Sequence, residues 1–158
     1  MLKPLINLTS ELATMSQTPE QVLATAKLYS DDQNYIVIRL PTSAVTVAAG
    51  VVAEIGEPFC ALIVDKDEVS LIIPADAREN FEGRFRDHLI SDHHFRLITF
   101  DVVLDMELTG FMAHVSQALA NANVPILPLA AYSRDHILVP EHKFDIAMAV
   151  LQQLQSAP

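Results

Sequence analysis

Residues 95–139, FRLITFDVVLDMELTGFMAHVSQALANANVPILPLAAYSRDHILV, constrain the fold of this chain more than any other segment. Between Arg96 and Asp105, Ile98, Phe100, Val102 and Leu104 share one face of a strand, with Leu97 and Val103 on the other. Thr109 to Asn123 then switches to helical spacing, with Phe111, Val115, Ala118, Leu119 and Ala122 on one side. Asn123 is placed to take a left-handed cap before Val124-Pro125. Ile126 to Tyr132 and His136 to Val139 form a hairpin across Ser133-Arg134-Asp135. Pro140-Glu141 opens a last helix whose buried stripe is Phe144, Ala147, Met148, Leu151 and Leu154. Strand, helix and hairpin in unbroken succession are most of a βαββ unit.

The first half gives the same order more loosely. Thr18-Pro19-Glu20-Gln21 is a helix start, with a Thr cap, Pro at the first helical position and an acidic residue in the first turn. Residues 1–30 read as helix in two pieces, with Val22, Leu23, Ala26 and Leu28 on the apolar side. Tyr35 to Leu40 is a strand by its β-branched and aromatic content. The run AVTVAAGVVAEI is ambiguous between strand and helix. Its length, and Gly56 at a C-cap position, favour a helix from Ser43 to Ile55. Phe59 to Val64 and Val69 to Ile73 make a hairpin across Asp65-Lys66-Asp67-Glu68. Ala75 to Ile90 reads as a helix with Phe81, Phe85 and Leu89 on one face.

The two halves therefore read strand–helix–strand–strand–helix, twice, with slight identity between them. This predicts an α+β chain of two tandem ferredoxin-like βαββαβ sandwich modules with antiparallel sheets, residues 1–90 carrying the first behind an N-terminal helical segment and residues 91–158 the second. Neither half shows its fourth strand. The other half, the N-terminal segment or a neighbouring chain could each supply it.

Composition narrows the function. Of the 158 residues 51% are hydrophobic and only 19% charged, against a typical ~25% charged, so an oligomer, most simply a homodimer, is expected to bury the excess. The net charge is −10, and Arg78, Arg84 and Arg86 alternate with Glu79, Glu82 and Asp87, which argues against a nucleic-acid partner. No apolar run reaches the ~20 residues of a membrane span, and the N-terminus does not read as a signal peptide. With a single cysteine, Cys60, no intrachain disulfide forms, which suits the cytoplasm.

Most reactive side chains have structural readings. His93-His94 point to opposite faces of a strand, and His114, His136 and His142 lack metal-ligand spacing, so no metal and no cofactor is expected. Cys60 opens an apolar strand, where an inert thiol is usual. Asp101 and Asp105 share a strand face but lie over ~12 Å apart, too far to share a proton. Ala48-Ala49-Gly50 lacks the remainder of a phosphate loop. An enzyme using His136 and Asp135 would need a nucleophile–base–orienter set that the sequence does not supply.

LTGFMAHVSQALANANVPILPLAAYSRDHILVP resembles the second module of small tandem ACT-domain proteins. It has the glycine opening the helix, the Ala-Leu-Ala helix end, a strand of the form I-x-x-x-A-x-Y, and an aspartate before I-L-V-P. EIGEPFCALIVDKDEVSLIIP resembles their first-half hairpin, and the eukaryotic cytosolic arginine sensors look like larger relatives. The resemblance implies a non-enzymatic, amino-acid-binding regulatory protein with its ligand between ACT-like modules, where the first strand meets the first helix. Carried over by position, the binding residues are Met106, Glu107, Leu108, Thr109, Gly110 and Phe111, together with Asp135 of the hairpin. The chemistry fits an amino acid. Free N–H groups at the start of the helix would take its carboxylate, Gly110 would allow close approach, and Asp135 or Glu107 would take its ammonium or guanidinium group. Many ACT modules carry Pro-Gly at this turn. Here it is Thr109-Gly110, with Glu107 nearby. The competing reading is a structural or partner-binding module without a small ligand, its spare apolar surface covered by another protein.

Overall fold

The structure, a computed structural model, describes residues 17–56 and 59–157. The expected first helical piece before Gln17 lies outside the described residues. Its elements are α1 (Pro19–Thr25), β1 (Lys27–Tyr29), β2 (Asn34–Leu40), α2 (Val45–Ile55), β3 (Ala61–Val64), β4 (Val69–Pro74), α3 (Arg78–Phe81), β5 (Leu89–Ile90), β6 (Phe95–Asp101), α4 (Phe111–Asn121), β7 (Leu127–Ala130), β8 (Asp135–Pro140) and α5 (Phe144–Gln155). Among the described residues no helix is long and apolar enough to cross a membrane.

Local chemistry fixes the boundaries. Thr18 and Gln21 form a reciprocal capping box: the Gln21 N–H donates to Thr18 Oγ1 at 3.3 Å, and the Thr18 N–H donates to Gln21 Oε1 at 3.0 Å. Gly56, at φ +66°, ends α2 with its N–H on the Val52 carbonyl. Asp65 Oδ1 accepts from the N–H groups of Asp67 and Glu68 and closes the β3–β4 turn. Asn123, at φ +54°, is the left-handed residue after α4; its N–H donates to the Ala120 carbonyl and that of Val124 to Leu119. That pairing is a Schellman closure.

Several expectations fail: β6 stops at Asp101 instead of running on to Asp105, so Asp101 and Asp105 do not share a strand face. The stretch 75–90 is not one helix. A 3-10 turn over Ala75–Ala77, the four-residue α3 and a second 3-10 turn over Glu82–Arg84 give way to extended backbone at Phe85, and Leu89–Ile90 pairs with β2. Phe81 and Phe85 are buried, as the spacing suggested, but Leu89 is 63% exposed. Gly83 and the positive φ of Asp87 break the run. Leu28 is likewise on a strand rather than a helix. α1 stops at Thr25, and Lys27–Tyr29 instead satisfies its backbone against β6.

The sheet explains where the missing strands come from. Strand β2 is flanked by β4, which pairs in turn with β3, and on its other side by β5, giving β5-β2-β4-β3. Strand β6 is flanked by β8 and then β7, and on its other side by β1, giving β1-β6-β8-β7. The first half closes with its own β5. The second half takes β1 from the N-terminal segment. The two sets join where β2 and β6 run antiparallel, Asn34 opposite Arg96 and Tyr35 opposite Phe95.

The alternation of side chains places all five helices on one face of this sheet. Over the second half, Ile98, Phe100, Ile137 and Val139 meet Val115 and Leu119 of α4, Ala147 and Leu151 of α5, and Val22 and Leu23 of α1. Over the first half, Ile36, Ile38, Leu71 and Ile73 meet Ala48 and Val51 of α2, with Phe81 and Phe85. Gln155, at the end of α5, donates to the carbonyls of Leu23 and Ala26 at 2.8 and 2.6 Å and ties α1 to the second half. On the helix-free face Tyr35, Ile72, Leu97 and Leu138 form a smaller apolar patch, with Phe59 packed across it.

Candidate functional site

The connection from β6 to α4 and the turn from β7 to β8 face one another. The Leu104 N–H donates to the Ser133 carbonyl at 2.9 Å and fixes their spacing. Within the first connection Asp105 does the folding: its Oδ1 accepts the Glu107 N–H at 2.8 Å and its carbonyl accepts the Leu108 N–H at 3.0 Å. Gly110 follows as the N-cap of α4 at φ +89° and ψ 0°, a left-handed conformation that side chains resist. No side chain caps α4. Thr109 was expected to open the helix, but its hydroxyl turns back onto the Glu107 carbonyl at 3.3 Å, and α4 begins at Phe111.

Between these connections lies a cleft of about 410 Å³. Of the seven residues expected at the site, Met106, Leu108, Phe111 and Asp135 line it, while Glu107, Thr109 and Gly110 do not. Leu104, Asp105 and the turn Ala130–Arg134 complete the wall. The turn residues were missed in the sequence, although the hairpin signal that singled out Asp135 carried them too.

Asp135 is the first residue of β8 and is half-buried. Burial pushes its carboxyl above the usual carboxylate range, and the neighbouring His136 offsets this only in part. Among the described residues its carboxylate has no hydrogen-bond or ion-pair partner. Arg134, beside it, is engaged, its Nε 2.7 Å from Asp101 Oδ1. His136 is the next residue and lies on the opposite face of the strand, where Nδ1 is 2.8 Å from Thr99 Oγ1 and the ring packs 5.2 Å from that of Phe59. Burial lowers its pKa, favouring the neutral ring. Asp135 and His136 thus do not converge on one site.

The remaining candidates have structural surroundings. Asp101 ends β6 in the ion pair with Arg134, and Asp105 is spent on its own turn. Cys60 is half-buried, and burial raises its thiol pKa, away from thiolate chemistry. His93 and His142 stack edge to face at 6.0 Å, and among the described residues no three His, Cys, Asp or Glu side chains are grouped to hold a metal ion.

No curated protein matches this chain. Solved structures do. A Vibrio cholerae protein of unknown function, described as a possible transport protein, superposes with a TM-score of 0.67 at 21% identity, over 87% of this chain and 95% of that one. The structure of aspartokinase alpha and beta subunits gives 0.66 at 13% identity, over 84% and 100%. The ligand-free regulatory subunit of aspartate kinase from Thermus thermophilus gives 0.59 at 12% identity, over 81% and 97%. At such identities the likeness establishes the fold: α+β, with a curled antiparallel sheet, of the ACT-like ferredoxin type. Residues 90–153, which span β6 to α5 and hold the whole cleft, match the family model of the ACT domain.

Proposed function

We propose that this chain is a non-enzymatic regulatory protein that binds a small effector, an amino acid or a close relative, in the cleft between residues 104–111 and 130–135. One observation carries the reading: a half-buried carboxylate without a partner, Asp135, borders the same cleft as the first residue of a helix whose N-terminus no side chain caps. The two supply opposite electrostatic preferences, one for an ammonium or guanidinium group and one for a carboxylate. The ACT-domain match over the same residues and the regulatory aspartate kinase subunits among the similar structures support it. We further read the chain as two ACT-like modules, 1–90 and 91–158, the second completed by α1 and β1 of the N-terminal segment, acting in the cytoplasm as a homodimer without nucleic-acid or membrane partners. The cleft is lined by the second module alone, so an interface between modules would form there with the other copy of the dimer, and the effector would shift the population of that assembled state.

Thermal denaturation against the twenty amino acids tests this directly. A ligand at ~100 times its dissociation constant adds ~2.7 kcal/mol of stability. The reading expects such a shift for at least one amino acid and its loss in Asp135→Asn. A folded protein that responds to none refutes it. A second reading, a protein-partner surface without a small ligand, is favoured by one feature: Met106 and Tyr132 at the mouth of the cleft are 70% and 83% exposed.

A further inference from the structure

The helix-free face of the sheet carries a second cleft, of about 490 Å³, that the effector reading does not use. We propose that this cleft binds an organic ammonium with an apolar body, between Tyr29, Asp31, Phe59, Asp101 and His136.

Its floor is apolar. Leu97 is buried there beneath Phe59, whose ring is held edge-on to Tyr35 at 5.8 Å and tilted against His136 at 5.2 Å. Phe59 is therefore a fixed wall, and Tyr29, half-exposed on β1, faces the same space. The rim is acidic. The charged residues lining the cleft are Asp31 and Asp101, with no Lys or Arg among them. Both carboxylates are held in place. Asp31 accepts the Tyr35 hydroxyl and the Gln33 N–H, and Asp101 accepts Arg134 Nε. His136 spends Nδ1 on Thr99, and its Nε2 has no hydrogen-bond partner among the described residues.

Charge and shape select the ligand. A carboxylate or phosphate entering here would meet no lining cation, the Asp31 carboxylate, which no cation pairs among the described residues, and Asp101, whose charge Arg134 already offsets in part. An ammonium would meet those carboxylates beside the Tyr29 and Phe59 rings, with its hydrocarbon over Leu97. The site is separate from the effector cleft. His136 and Asp135 are consecutive on β8 and point to opposite faces, so Asp135 can be altered without touching the ammonium cleft, although the Asp101–Arg134 ion pair joins the two linings.

The test is calorimetric titration of the full chain with phenethylamine and with phenylacetate, which have similar apolar bodies and opposite charges. Phenethylamine is expected to bind and phenylacetate not. Asp31→Asn, Phe59→Leu and Tyr29→Leu should each weaken phenethylamine about tenfold, while Asp135→Asn should leave it unchanged. Tyr29 is on the exposed side of a short strand, so its variant reports even where Asp31→Asn, at the Tyr35 contact, fails to fold. Absence of phenethylamine binding overturns the proposal. So does equal binding of phenylacetate, retention of affinity in Tyr29→Leu and Phe59→Leu, or loss in Asp135→Asn.

Discussion

Two glycines in this chain should respond in opposite directions to the same substitution. Gly110 has φ +89°, where an L-residue costs about 1–2 kcal/mol. A Cβ built there would meet Pro19 Cγ at 3.7 Å, an ordinary contact, so the penalty of Gly110→Ala is the backbone conformation alone. Gly50 lies within α2, and a Cβ there meets nothing within 4 Å. Gly50→Ala should stabilise by about 0.5–1 kcal/mol, by favouring the helix and narrowing the unfolded ensemble. For a chain of this size 1 kcal/mol moves the midpoint by roughly 2–4 °C. Gly110→Ala should therefore lower Tm by about 2–8 °C and Gly50→Ala raise it by about 1–4 °C, read by circular dichroism and checked by guanidinium titration. Gly110→Asn is the control, because asparagine tolerates the left-handed region and should recover part of the loss. If Asn is no better than Ala at position 110, or if both glycine-to-alanine changes move Tm the same way, the attribution to backbone handedness is refuted.

Other perturbations test separate links. Because burial raises the folded pKa of Asp135, this residue's contribution is most favourable below its unfolded pKa and is lost as pH rises through the folded value. Asp135→Asn should accordingly be more stable than the parent at pH 7, and the gain should vanish below pH ~4; a gain that persists in acid would rule out ionisation as its cause. Gln155→Ala removes two hydrogen bonds to α1 carbonyls and should cost about 1–2 kcal/mol, with faster amide exchange confined to the region of α1 and β1. Phe85→Ala should cost about 3–5 kcal/mol, whereas Leu89→Ala should stay within about 0.5 kcal/mol. Equal costs in chemical denaturation would restore the continuous helix over 75–90.

Much of the second half was legible because its signals are local and redundant. In 95–139 the period changes from two to 3.6 and back, and each change is marked by a glycine, an asparagine or a proline. Asn123 takes the left-handed cap expected of it, and Phe111, Val115 and Leu119 are buried as the spacing demanded. Gly56 resolved the ambiguity of α2 correctly. The stretch 75–90 misled because Phe81, Phe85 and Leu89 keep helical spacing while Gly83 and Asp87 end the helix between them. Four of the seven expected site residues line the cleft, because the β6–α4 connection and the β7–β8 turn are both sequence-marked. Which side chains of a nine-residue connection turn inward is set by Asp105 and by the Leu104–Ser133 hydrogen bond, and neither pairing is visible in a linear pattern.

By itself, then, the amino-acid sequence determined the order and type of most elements and the α+β class, since these follow from side-chain period, caps and turn residues acting over a few positions. The tertiary structure alone decided the pairing of Lys27–Tyr29 with β6, some seventy residues away. A three-residue strand has no period to read, and its place is fixed by the unpaired edge of β6. The same holds for the division of Asp135 and His136 between two clefts. They are adjacent in the chain, and only the pleat of β8, set by its hydrogen bonds to β6 and β7, sends them to opposite faces of the sheet.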